Sequence, residues 1–277
     1  MGRTSQSVRG FRLNQLLKSL ALVLFILPAS VFADFDHGQW NRLLDKHVKV
    51  LSGGTATQVD YEGMAADRAS LKAYLAKVSA VPRSTFDSWA VPSQLAFLIN
   101  AYNAWTVEVI LSEYPGIDSI RDIGFLLSSA WNQDFASLFG EPVTLDEIEH
   151  GMIRGWGRYN EPRIHFAVNC AAVGCPALRS EAYIGERLEA QLEDSTRLFL
   201  SDRSRNYYDN GRMYVSSIFD WYKEDFEKGW GGIDSVGEFL ANYPGELDLD
   251  TATAERLRTD NIRIRHLRYD WSLNDTP

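Results

Sequence analysis

The chain has 277 residues, of which 45% are hydrophobic and 12% aromatic, with 28 Lys+Arg against 37 Asp+Glu. A net charge of −9 argues against the basic surface that would hold nucleic acid or an anionic lipid face. Eight Trp and twelve Tyr exclude a disordered chain, and they suffice for a core plus an aromatic-lined groove.

Residues 1–33 read as an export signal rather than as part of the fold. Arg3, Arg9, Arg12 and Lys18 form a basic start, residues 21–32 (ALVLFILPASVF) an apolar stretch, and Val31-Phe32-Ala33 a small-x-small cleavage site. About twelve apolar residues are too few for a permanent span, which needs roughly 20. No cysteine follows the apolar stretch directly, so a lipid anchor is not expected, and the alternative is an uncleaved anchor. Cleavage after Ala33 leaves residues 34–277 with 24 Lys+Arg against 37 Asp+Glu, a balance of −13. The expectation is a periplasmic or secreted protein, with no stable membrane insertion after cleavage and no nucleic acid partner.

In chain order, helical periodicity appears at 38–51, 64–78, 92–113, 144–154, 181–200, 217–228 and 235–242. Strand-like alternation appears at 57–61, 163–169, 212–216 and 261–267. There is no internal repeat, low-complexity tract or long linker. Helices dominate the first half and short strands are scattered through the second. That pattern predicts a single α+β domain, mostly helical with a small sheet.

The 92–113 helix is the expected spine, since its apolar residues spread round nearly the whole circumference. Ser93, Ala96, Asn100, Asn103 and Val107 fall on one narrow stripe. Two amides on a buried helix need partners. Either they bond the backbone of a neighbouring loop or they line a site, and both hold if that loop carries the cysteines.

Residues 144–155 (TLDEIEHGMIRG) begin with a capping box, Thr144 with Glu147. Glu149 falls inside the apolar arc set by Leu145, Ile148, Met152 and Ile153, so a carboxylate is aimed at the core. It either pairs with a buried cation or serves as a tuned acid or base. Asp146, His150 and Arg154 share the adjoining flank, where an acid can orient an imidazole.

Residues 165–179 (HFAVNCAAVGCPALR) hold both cysteines. Read as a strand, 163–169 turns Ile164, Phe166 and Val168 inward and leaves His165, Ala167 and Asn169 on the other face. Gly174 bends the chain, and Pro176 suits the first position of a helix. Cys175 would then sit at a helix N-terminus, which favours a thiolate, with His165 or His150 as base and Glu149 or Asp146 as its orienter. A Cys170–Cys175 disulfide, a buried inert pair and a zinc site with a histidine remain open beside it. Residues 216–226 (SSIFDWYKEDF) carry Asp220 and Asp225, either of which could be a third site member.

Five stretches in order, AFLINAYNAWTVEVIL, LDEIEHGMIRG, RIHFAVNCAAVGCPALR, SSIFDWYKEDF and the closing YDWSLN, resemble the family of unknown function DUF547. The resemblance covers about 92–243 strongly and the tail more weakly. It implies a papain- or transglutaminase-like α+β architecture. It marks Asn100, Tyr102, Asn103, Glu149, His150, His165, Cys170, Cys175, Pro176 and Arg179 as the positions that fit the family pattern. One feature departs from papain-like logic: the 92–113 helix has no cysteine at its start.

The expected site is a cleft between the 92–113 helix, the 144–154 helix and the cysteine loop. Its expected chemistry is thiol-dependent hydrolysis or acyl transfer on a small peptide or amide, without cofactor or metal. Cys175 would be the nucleophile, His165 the base with His150 in reserve, Glu149 the orienting carboxylate, and Asn100 or Asn169 an oxyanion donor. Tyr102, Asn103, Cys170 and Arg179 complete the substrate-binding positions. The alternatives are a non-enzymatic binding module with its cysteines joined, and a metal-dependent hydrolase.

Overall fold

The expected spine runs Val91–Glu113 in the computed structural model, which describes residues 1–2, 34–124 and 128–277. The expected leader, residues 1–33, lies outside the described residues apart from Met1 and Gly2. Of the 23 residues in this central helix, 17 are buried, so neighbours must wrap it on nearly every side. Its length and composition would let it cross a membrane, but 83% of its most apolar window is enclosed by the fold. Pro92 sits in the first turn, where a missing N–H leaves no intrahelical bond unmade. The helices Arg68–Ser79 and Leu188–Ser201, a π-helix Glu147–Arg154 and a 3-10 turn Gly185–Arg187 pack against it.

The described residues from Asp34 onward form one compact unit of α+β class. Among the described residues the strands make two hairpins, Val48–Leu51 with Ala56–Val59 and Ala136–Leu138 with Glu141–Val143, and one three-stranded sheet. In that sheet Arg212–Val215 lies between antiparallel Tyr207–Asp209 and parallel Arg263–His266. Several expected helices are shorter or broken. The 38–51 helix ends at His47 and continues as a strand, and the 217–228 segment is two short helices, Ile218–Trp221 and Lys223–Phe226. The 181–200 helix begins only at Leu188.

The strand expected at 163–169 is a correction. Pro162–Phe166 is a 3-10 turn, with Pro162 in its first turn and the Glu161 side chain accepting the Arg163 N–H at its start. Its residues are buried on all sides, and a short all-buried run looks the same in sequence whether coiled or extended. The turn joins two cores. Ile164 belongs to the one around the central helix, and Phe166 to a second built from Phe199, Phe219, Phe226 and Phe239. His165 is therefore carried on the seam between them. Buried Arg163 anchors the turn through ion pairs to Glu161, Glu189 and Glu193.

One buried histidine gives the fold a pH dependence of its own. His37 is 6% exposed, its Nδ1 lies 2.7 Å from the Tyr74 hydroxyl, and burial lowers its pKa to about 3 against the opposing charge of Asp36. The folded ring refuses a proton that the unfolded ring accepts near pH 6.5, so stability is full above that pH and is lost on acidification. Between about pH 5.5 and 4 the unfolding free energy is expected to fall by about 1.4 kcal/mol per pH unit on account of His37. Urea midpoints measured across this range should show the slope in the wild type and a shallower one in His37→Phe. An unchanged slope would remove His37 as its source.

Candidate functional site

A cavity of about 410 Å³ opens where the central helix, the π-helix, the 3-10 turn, the cysteine loop and the C-terminal segment meet. The central helix contributes Tyr102, the π-helix Glu149, His150 and Arg154, the turn His165, and the loop Cys170 and Pro176. Trp221 and Tyr222 enter from the 216–226 segment, and Tyr269 and Trp271 from the tail.

The cysteine loop is held from two sides. Asn103 on the central helix donates to the Ala167 carbonyl (2.9 Å) and accepts the Asn169 N–H (2.8 Å). Asn169 in turn accepts the Ala171 N–H and donates to the Pro176 carbonyl, closing the loop on itself around Ala171, whose φ is +60°. From the other side the tail pairs with it: the Val173, Gly174 and Asn274 N–H groups donate to the Ser272, Asp270 and Ala171 carbonyls. A Cβ on Gly174 would stand 2.9 Å from both the Asp270 carbonyl oxygen and the Tyr269 ring, so only glycine lets the tail approach.

Within this loop Cys170 and Cys175 are joined as a disulfide. The Tyr269 hydroxyl lies 3.2 Å from each sulfur, and the Cys170 N–H donates to the Cys175 Sγ. Cys170 is half-buried and lines the cavity, whereas Cys175 is 3% exposed and does not. No helix begins at Pro176, so the helix-dipole argument for a Cys175 thiolate fails. The run Ala177 to Ser180 instead has no regular structure and is tied by Arg179 to Glu181 and Asp194.

His165 is a buried imidazole in the wall of the cavity. Its Nε2 lies 2.7 Å from Asp225 Oδ2, and its ring stacks on Tyr222 with centroids 3.8 Å apart. Asp225 also accepts from Arg154 Nε and Lys228 Nζ. Burial alone would raise the Asp225 pKa, but the bonds from His165, Arg154 and Lys228 outweigh it and hold the carboxyl well below its ordinary range. Burial lowers the His165 pKa despite the pull of Asp225 and Glu149. The ring is therefore neutral at pH 7. An ionised Asp225 only accepts, so the imidazole proton sits on Nε2 and Nδ1 carries a bare lone pair. That Nδ1 is buried and has no hydrogen-bond partner among the described residues.

Glu149 is 4% exposed and its Oε1 is likewise without a partner among the described residues. Burial first, then the Glu149 charge and hydrogen bonding, push Tyr102 and Tyr222 above the usual phenol range. Burial also raises Tyr269, with a smaller contribution from Glu149. His150, half exposed, accepts from Arg154 at Nδ1 (2.7 Å) and has Nε2 3.7 Å from Asp146. The capping box is present, with Thr144 N–H to Glu147 and Glu147 N–H to Thr144 Oγ1.

The cavity thus gathers Tyr102, Glu149, His150, His165 and Cys170 of the expected residues. It does not gather Asn100, Asn103, Asn169 or Arg179. Asn100 clamps Tyr183 by its N–H and carbonyl, Asn103 and Asn169 clamp the cysteine loop, and Arg179 faces a different cavity of about 530 Å³. Asn100 and Asn169 donate to the Tyr183 and Pro176 carbonyls and do not line the cavity, so neither is placed as an oxyanion donor there. The carboxylate that orients His165 is Asp225, not Glu149. Among the described residues no three His, Cys, Asp or Glu side chains converge as a metal site, so the zinc alternative finds no ligand set there. The residues that sequence reasoning missed are Trp131, Trp221, Tyr222, Tyr269 and Trp271. Tyr269 and Trp271 lie within the closing YDWSLN motif, which was itself the available signal.

The site belongs to an α+β domain whose cavity is built on a buried imidazole–carboxylate pair beside a disulfide. Residues 86–200 match the family model described as "Protein of unknown function, DUF547", and the chain carries a DUF547 domain. No curated protein and no solved structure matches the chain. The matched segment supplies Tyr102, Glu149, His150, His165 and Cys170, while Tyr222, Asp225, Tyr269 and Trp271 lie beyond it.

Proposed function

We propose that this is an exported thiol-dependent hydrolase or acyl transferase acting on a small amide or peptide, stored with its cysteines oxidised. One observation carries the reading: a neutral His165, oriented by Asp225 and bare at Nδ1, shares a cavity wall with Cys170. Leaving a buried acceptor unsatisfied costs about 1–3 kcal/mol, a cost that a purely structural histidine would have no reason to carry. A disulfide also suits the oxidising compartment to which residues 1–33 would send the chain.

In the proposed cycle a small dithiol opens the Cys170–Cys175 bond, leaving two thiols and becoming a disulfide itself. His165 Nδ1 takes the Cys170 proton as the sulfur attacks the carbonyl carbon. The Tyr269 hydroxyl, beside both sulfurs, stays protonated and donates to the developing oxyanion. The imidazolium returns the proton to the leaving amine, and water or a second amine releases the acyl group from sulfur. The nucleophile is thus Cys170 rather than Cys175, because only Cys170 reaches the cavity.

Thiol titration and turnover test this together. The protein as isolated should show no reactive thiol. After dithiol treatment it should show two, with Cys170 alkylated before Cys175, and hydrolysis of amide or thioester substrates should then appear. Cys170→Ser and His165→Ala should each reduce that turnover at least about 100-fold. Reduced protein that cleaves nothing in a broad amide and thioester panel, or Cys175 reacting first, would sink the proposal. The disulfide favours one further reading, a binding module, and reduced protein that binds such amides without cleaving them would select it.

A further inference from the structure

Glu149 is a buried carboxylate that the protein leaves without a counter-ion. The nearby cation, Arg154, is committed to Asp225 at 2.5 Å and to His150 at 2.7 Å. No Lys or Arg forms an ion pair with Glu149 among the described residues. A second acid, Asp146, lines the same cavity, and its pKa is raised by burial and then by Glu149. The walls around these acids are aromatic: Tyr102, Trp131, Trp221, Tyr222, Tyr269 and Trp271. Trp221 and Trp271 stack at 5.7 Å, and Tyr269 packs against both.

An unpaired buried anion inside aromatic walls has one complementary ligand class. Ring quadrupoles attract a cation at their faces, and quaternary alkylammonium groups are the weakly hydrated cations that such walls accept. A carboxylate among them supplies the counter-charge, at a depth where water screens it little. Neutral or anionic groups would leave Glu149 as it stands, buried and unneutralised.

We infer that the cavity selects substrates bearing an alkylammonium group, with Glu149 as its counter-ion and the aromatic walls as its cage. This deepens the proposed function and rests on its reading of the cavity as the substrate site. Binding, however, needs no thiol, so it can be measured on the disulfide-bonded protein without turnover. Choline and its neutral isostere 3,3-dimethylbutan-1-ol are the probes, and Trp131, Trp221 and Trp271 make intrinsic fluorescence a reporter.

Wild-type protein is expected to bind choline at least about tenfold more tightly than the alcohol. Glu149→Gln should abolish that preference while leaving its thermal midpoint unchanged or raised, since a buried unpaired charge has gone. Equal binding of the two probes by the wild type overturns the inference, and so does no binding of either. A preference that persists in Glu149→Gln overturns it too. If that variant fails to fold, the wild-type comparison of the isosteres decides alone. Absence of amide turnover in the reduced protein would count against the hydrolase reading and leave the choline result standing.

Discussion

Replacing Asn103 by alanine is expected to lower the unfolding free energy by about 2–5 kcal/mol, since two buried backbone groups lose their partners. The Ala167 carbonyl and the Asn169 N–H are both enclosed, and the Asn103 amide satisfies the two at once. The effect is expected to be local before it is global. Hydrogen exchange at the Asn169 amide should speed up in Asn103→Ala, while the Tyr183 amide, held by Asn100, keeps its protection. Asn100→Ala should give the reverse pattern. Aspartate at 103 is no rescue, because it can accept from Asn169 but cannot donate to Ala167. Equal protection at Asn169 in the wild type and Asn103→Ala would mean that the disulfide and the tail alone hold the loop.

That amide pair marks the boundary of what was legible in advance. The stripe on the central helix followed from 100° spacing, and the two amides do bind loop backbones, one of them the cysteine loop. Glu149 was placed in the core by the same geometry and is buried there. Chemistry-bearing side chains on a long periodic helix are fixed by local rules. The cysteine loop is not. Its conformation comes from Asn103 and from tail residues about a hundred positions away, and no period encodes either contact. The run at 163–169 failed as a strand because a segment buried on every face has lost its alternation. Asp225 was ambiguous for a related reason. In the sequence it is one acid among several, and only the fold brings it to His165.

The sharpest test of the catalytic reading is Asp225→Asn. In dithiol-reduced protein the substitution is expected to lower kcat by about 10²- to 10⁴-fold with KM little changed, because the carboxylate positions the base without lining the cavity. With an amide there, Nε2 of His165 is no longer obliged to hold the proton, and the tautomer with a bare Nδ1 loses its preference. The anion that raises the His165 pKa is also gone, so the acid limb of the kcat/KM profile should move to lower pH. A merely structural Asp225 would not move that limb. Stability provides an independent reading of the same group. The folded Asp225 pKa lies below the unfolded value near 3.9, so its contribution is full above that pH and is lost as the pH falls further. The wild type should therefore lose stability below about pH 4 more steeply than Asp225→Asn, as urea midpoints would record. A variant that keeps wild-type turnover after reduction would show that His165 needs no orienting acid, and the base would have to be sought at His150, which Arg154 and Asp146 already hold in place.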